Sequence, residues 1–282
     1  MDAPDLKTWI GRTESAVDVA TQAPLDGLAA LLDHETPPWP AGAAPPLGHW
    51  LYFLPHARQS QISEDGHPFR GDFLPPTPLP RRMWAGSRLE FHRSIHRGAA
   101  LERHSQIADV SEKTGASGAM LFVTVRHAIH ADGELAVSEE HDIVYREAPT
   151  APTPAPGPPA PTPACGHART LRADPTQLFR FSALTFNAHR IHYDRDYCRD
   201  EEGYPGLVVH GPYLATLLMD HFLRHRRGAR VRRFAFRARR PIFDIAPFTL
   251  CLNDRPEGAE LWIAGPDGQP SFTATLEAAD VL

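Results

Sequence analysis

Phe181-Ser-Ala-Leu-Thr-Phe-Asn-Ala-His-Arg-Ile-His-Tyr-Asp194, followed after a polar loop by Gly206-Leu-Val-Val-His-Gly-Pro212, decides how the rest of the chain is read. An apolar lead-in (Phe181, Ala183, Leu184) runs into polar, proton-competent side chains at Asn187, His189, His192, Tyr193 and Asp194. Gly211 and Pro212 then open the most apolar helix-like run of the second half. Pro212 suits a first helical turn, where a missing N–H costs nothing, and Leu214, Leu217, Leu218 and Phe222 form one apolar stripe. Backbone N–H groups at a helix start lack intrahelical acceptors. An imidazole carried toward such a start is the minimum equipment for proton chemistry beside a carbonyl.

Working outward, the residues before this segment predict a strand over Gln177–Ala183. Those after the helix predict four strands, Ala229–Arg240, Phe248–Asn253, Glu260–Ala264 and Ser271–Ala278. The first half repeats the order. A helix is expected after Pro24, with Asp26 as N-cap and Leu28, Leu31 and Leu32 on one face, and Pro37, Pro38 and Pro40 end it. Strands follow over Met83–His92, Ala100–Lys113, Ala119–His130 and Leu135–Tyr145, with Asp132-Gly133 as a hairpin turn. Helix then antiparallel meander, twice, is an α+β fold present in two copies. Ala148 to Ala164 is nearly all Pro, Ala, Thr and Gly and builds no core. The chain therefore divides into residues 1–147, a linker at 148–164, and residues 165–282. The Pro/Gly-rich stretch from Pro55 to Pro80 reads as one long loop, a lid or entrance wall.

Composition narrows the function classes. A hydrophobic fraction of 42% with 22% charged residues is that of a soluble globular protein. A net charge of −5 argues against nucleic acid or anionic membrane as a partner. Cys165, Cys198 and Cys251 form no CxxC pair and read as reduced thiols. With no signal-like leader and no apolar run of membrane length, the expectation is a cytoplasmic protein.

The duplicated helix-plus-wrap resembles the double hot-dog fold of MaoC-like type-2 enoyl-thioester hydratases and dehydratases. Phe186–Asp194 and Gly206–Pro212 are similar to the branch containing mesaconyl-C4-CoA hydratases and hydroxyacyl-thioester dehydratases. Met83–Phe91, Ser117–Val123, Ile143–Arg146 and Phe236–Pro241 add to the likeness across nearly the whole chain, and residues 1–147 resemble the branch's non-catalytic hot dog. The wider MaoC-like motif is Asp-x-Asn-Pro-x-His, whose Asp and His hold and deprotonate a water. Its His falls on His192, its Asp on Asn187 and its Asn on His189. Asn187 can orient a water but cannot exchange a proton at neutral pH, so His192 serves as sole base or another acid such as Asp194 assists. The resemblance puts the oxyanion-binding backbone N–H on Gly211. It implies no cofactor and no metal, with a coenzyme A thioester as substrate.

Each assignment has a plainer counterpart. Asn187 and His192 could cap and satisfy a buried turn. His189, His192 and His210 could be imagined around a metal, but no carboxylate or cysteine spacing supports one. His210 could position the helix start, and His49 beside Trp50 reads as lid packing. Arg233, Arg237 and Arg239 share one strand face, which is either solvated or a basic wall for coenzyme A phosphates or a substrate carboxylate. His189, Tyr193 and His210 join them as substrate-binding candidates. Three functions follow: hydration of a 2-enoyl-CoA such as mesaconyl-C4-CoA, dehydration of a (3R)-hydroxyacyl-ACP, or acyl-CoA binding without turnover. Two hot dogs in one chain are compatible with a monomer or a homodimer.

Overall fold

The structure is a computed structural model and describes residues 5–115, 118–148, 153–155, 157 and 164–279. The first half contributes β1 (Thr13–Val19), α1 (Gln22–Leu31), β2 (Arg81–Phe91), β3 (Ala100–Gly115), β4 (Gly118–Ala131) and β5 (Glu134–Arg146). The second contributes β6 (His167–Leu171), α2 (Pro175–Thr185), α3 (Arg195–Asp200), α4 (Gly211–His225), β7 (Arg230–Ala238), β8 (Phe248–Arg255), β9 (Gly258–Ala264) and β10 (Pro270–Ala279). Most of the linker lies outside the described residues. The strands make one antiparallel sheet in the order β1-β3-β4-β5-β2-β7-β10-β9-β8-β6. Each half gives five neighbouring strands, and the halves meet where β2 pairs β7, with Ser87 opposite Phe236 and Leu89 opposite Phe234. At that seam a Cβ on Gly86 would stand 2.3 Å from the Phe236 carbonyl oxygen, so only glycine permits the approach.

The β4–β5 hairpin turns at Asp132-Gly133, both at positive φ, as the sequence predicts. Helix α4 is the central helix of the second half: Tyr213 through Leu223 are all buried, and it packs on β8, β9 and β10. In the first half α1 buries Leu25, Leu28 and Leu31. Its N-cap is Thr21; Asp26 sits inside the helix and accepts a hydrogen bond from Gln22 at 2.7 Å. This is the double hot-dog arrangement, a sheet wrapped on a helix twice over.

One predicted element changes class. Gln177–Ala183 is not a strand but part of helix α2. Asp174 accepts from the Gln177 N–H at 2.9 Å and Gln177 reaches back to the Asp174 N–H, a capping box completed by Pro175 in the first turn. Leu178, Phe181 and Ser182 are then buried at helical spacing. The edge strands β1 and β6 went unpredicted because both are short, polar and half-exposed.

Candidate active site

A cavity of about 570 Å³ lies between the halves. Its walls are the start of β2, the 55–80 loop, the turn after α2 and the start of α4. The long Pro/Gly-rich loop is therefore an entrance wall, as expected. It keeps a short 3-10 turn at Gln59–Gln61 and a bridge between Ile62 and Pro68.

The turn after α2 carries the polar cluster. Phe186 ends the helix in the left-handed region (φ 47°), and the Asn187 N–H returns to the Ser182 carbonyl at 2.9 Å. The Asn187 side-chain oxygen then accepts from the His189 N–H at 2.9 Å, which leaves the amide Nδ2 as a donor. A single 3-10 turn, Arg190–His192, swings His192 under the extended run of residues 206–210. That run is held on both sides: the Val208 N–H reaches the Ile191 carbonyl at 2.9 Å and the Val209 N–H the Ile242 carbonyl at 2.8 Å. Buried Asp244 pins it as well, accepting from the Leu207 N–H at 2.9 Å.

The His192 Nδ1 donates to the Val208 carbonyl at 2.7 Å. In the neutral ring this fixes the tautomer and leaves Nε2 as the basic nitrogen. Burial pulls the His192 pKa down to about 4, with the Val208 bond opposing and His67 adding to the fall. Burial likewise takes His189 down to about 2, helped by His67 and His192, and holds His210 well below the ordinary imidazole value. The cluster is thus neutral at pH 7. Gly211, the first residue of α4, also lines the cavity. Its N–H has no acceptor within the helix. The nearest atom to a Cβ built there, the Trp84 carbonyl oxygen, would be 3.9 Å away, so the space around this amide is open.

Asn187, His189, His192 and Gly211 therefore share one cavity, and the other predicted residues divide. His210 is buried behind His192 rather than in the cavity wall, with its Nε2 2.8 Å from the Ser182 hydroxyl. Tyr193 is half-exposed and points away, because the 3-10 turn that buries His192 faces its neighbour to solvent. Arg233 bonds Glu90 at 3.0 Å on the outer face of the sheet, and Arg237 lines a separate surface groove. The inner face of β7 is taken by Phe234 and Phe236, so neither arginine forms a wall of the cavity. Only Arg239, just past the end of β7, reaches it. Asp194 caps α3 through the Tyr197 N–H at 3.0 Å and pairs with Arg190 at 2.8 Å, so it is committed elsewhere.

Several cavity residues carried no sequence signal. His49 is not simple lid packing: its Nε2 bonds buried Glu139 at 3.0 Å, and Glu139 also accepts from Trp50 Nε1 at 3.0 Å and the Ser87 hydroxyl at 2.8 Å. Burial would raise the Glu139 pKa, but the His49 bond and nearby imidazoles outweigh it and bring it to about 2. Arg82 lines the cavity half-buried, and its guanidinium has no hydrogen bond or ion pair among the described residues. Asp65 and His67 enter from the 55–80 loop.

Comparison with known proteins places this architecture. A Phytophthora capsici MaoC-like dehydratase superimposes with a TM-score of 0.71 over 98% of both chains at 12% identity. A Mycobacterium tuberculosis protein described as a double hot-dog superimposes at 0.57 over 95% of this chain and 96% of its own, also at 12% identity. The chain thus has the double hot-dog fold. The profile of the family "Hydroxyacyl-thioester dehydratase type 2" matches residues 47–244. Mesaconyl-C(4)-CoA hydratase of Chloroflexus aurantiacus is 49% identical, covering 98% of this chain and 99% of that protein. The chain belongs to the hydroxyacyl-thioester dehydratase type 2 family and is a hydro-lyase.

Proposed function

We propose that this protein reversibly hydrates a 2-enoyl-CoA to a 3-hydroxyacyl-CoA, with a short branched dicarboxyl chain such as mesaconyl-C4-CoA as the acyl group. The observation that carries the reading is the fixed tautomer of His192: Nδ1 committed to the Val208 carbonyl, Nε2 basic, in the same cavity as the first residue of α4. In the hydration direction His192 Nε2 takes a proton from water while the water oxygen bonds to the β-carbon. The π pair moves to the thioester oxygen, where the Gly211 N–H stabilises the enolate. The proton then returns to the α-carbon, so the sum is addition of one water across the double bond. Asn187 holds the water through its free amide Nδ2.

The dicarboxyl preference is supported by Arg82, an uncompensated cation in the cavity wall suited to a free carboxylate. Arg239, whose Nε reaches only the Thr273 hydroxyl at 3.3 Å, is free to meet a coenzyme A phosphate. Among the described residues no helix is long and apolar enough to cross a membrane. A cytoplasmic site of action, with the protein working as a monomer or homodimer without metal or cofactor, completes the reading. The test is hydration of a panel of CoA and ACP thioesters, followed as loss of enoyl absorbance. Rapid turnover of short dicarboxyl CoA esters and rejection of long straight chains is the expected result. Preference for long acyl-ACP would replace the substrate, and binding without any turnover would sink the enzymatic reading.

A further inference from the structure

The 55–80 loop does more than wall the cavity. Between Ser63 and His67 it folds into a tight hairpin, with the Ser63 N–H on the His67 carbonyl at 2.8 Å and the Gly66 N–H on the Ser63 carbonyl at 2.9 Å. Asp65 sits at the tip, and both its oxygens are used. Oδ1 accepts from the His67 N–H at 2.9 Å and from the Ser63 hydroxyl; Oδ2 accepts from His67 Nδ1 at 3.0 Å. His67 is thereby fixed with Nδ1 protonated and Nε2 basic. The hairpin is seated on the turn that carries the site: the Arg190 N–H bonds the Asp65 carbonyl at 2.9 Å. Gly66, at φ +92°, lies so close that a Cβ there would fall 1.8 Å from the Ala188 carbonyl oxygen. His67 then faces His189, ring centroids 4.1 Å apart, and His189 meets His192 edge to face at 5.4 Å.

His192 cannot easily hold a proton alone. Its partners are a peptide carbonyl and the stacked ring of His210, neither of which balances an imidazolium in a buried site. Asn187 cannot exchange a proton. Burial holds His67 below the ordinary imidazole value, Arg82 and Arg70 add to the fall, and Asp65 opposes it; Asp65 is also the carboxylate that acts on His189. Glu202, also in the cavity wall, is occupied by Arg81 at 2.9 Å.

We infer that Asp65 and His67 form the charge-balancing end of a proton relay, His192–His189–His67, that serves the hydration step. This rests on the hydration reading above. His192 Nε2 takes the water proton and passes it to one nitrogen of His189. His189 releases its other proton to His67 Nε2, and the resulting imidazolium is paired with the Asp65 carboxylate. The same steps in reverse deliver a proton from His192 to the α-carbon and restore every ring to neutrality, so no further reactant is needed. His67 is a proton-storing residue and Asp65 a positioning one. The ligand atoms of Asp65, His67 and His189 also lie within 4.8 Å of one another, which is cation-binding spacing.

The test uses the full chain and the hydration assay. His67→Gln, which keeps a polar side chain but cannot carry a proton, is expected to lower kcat about 10²-fold with KM changed by less than about threefold. Asp65→Asn should lower kcat in the same way. Added imidazole should restore part of the activity of His67→Ala, which a purely structural role would not allow. Melting curves that match the wild type show that the variants fold. A His67→Gln enzyme with near wild-type kcat overturns the relay. So does loss of wild-type activity on chelation with recovery on adding zinc, which would make the trio a metal site. A wild-type protein inert towards every enoyl thioester overturns both readings, and that result is visible before any substitution is made.

Discussion

His192 and His210 lie ring on ring, with centroids 3.6 Å apart and planes within 20° of parallel. The stack presses the first imidazole against the cavity, while His210 is itself held from behind by the Ser182 hydroxyl at 2.8 Å. Two rings stacked so closely cannot both be charged, and burial already favours the neutral forms. His192→Ala should therefore lower kcat for hydration by about 10²- to 10⁴-fold. The protein should still fold, because Tyr213 through Leu223 stay packed without that ring. Turnover near the wild-type rate would remove His192 from the mechanism.

Acid should weaken the fold earlier than its carboxylates titrate. His192 and His127 are depressed to about 4, His141 to about 3 and His189 to about 2, in each case chiefly by burial. The unfolded chain takes up protons on these rings below about 6.5, while the folded chain does not. Unfolding therefore gains protons as the pH falls, and stability is lost from about pH 6.5 downward toward the folded values. Thermal melts between pH 7.5 and 4.5, values chosen to bracket about 6.5, should show Tm falling with pH. His192→Gln should flatten that slope, and an unchanged slope would show that this ring is not buried neutral.

Arg82 should read charge on the acyl group. Arg82→Met removes the free cation but keeps much of the side-chain volume. KM for a dicarboxyl CoA ester should rise about 10- to 100-fold, the worth of one charge-assisted hydrogen bond. KM for crotonyl-CoA, which has no second carboxylate, should stay near the wild-type value. Equal losses on both substrates would assign Arg82 to the shared coenzyme A portion instead.

Gly66→Ala tests the seating of the hairpin. A methyl group there meets the Ala188 carbonyl oxygen and also asks a side chain to hold φ +92°. The loop must lift from the turn that carries Asn187 and His189. A displacement of that size should cost about 10²-fold in kcat/KM. The melting temperature should fall little, since most of the loop packs outside the main core. Full activity in Gly66→Ala would mean that the hairpin does not position the site.

Much of the fold was legible because local periodicity and tertiary burial agree. Period-2 runs such as Ala119–His130 and the stripe Leu214, Leu217, Leu218 and Phe222 pack as they read. Helix α2 was misread although Asp174-Pro-Thr-Gln177 carried its start signal; the Phe, Leu and Ala content of the segment masked the capping box. Strand alternation placed Arg233 and Arg237 on one face, but alternation does not say which face meets the cavity. Packing gave the inner face to Phe234 and Phe236.

The sequence alone determined the duplicated helix-and-meander plan and the segment that carries His192 and Gly211, because both are written in short-range pattern and spacing. Only the tertiary structure decided which charged groups meet the site. Asp65, His67, Arg82 and Glu139 come from loop and strand positions far from residue 192, and no periodicity marks them. Their nearness is set by how the two halves join at β2 and β7 and how Gly66 lets the loop lie on the His189 turn. Such contacts are made by burial and close approach across the chain, which neighbouring residues do not encode.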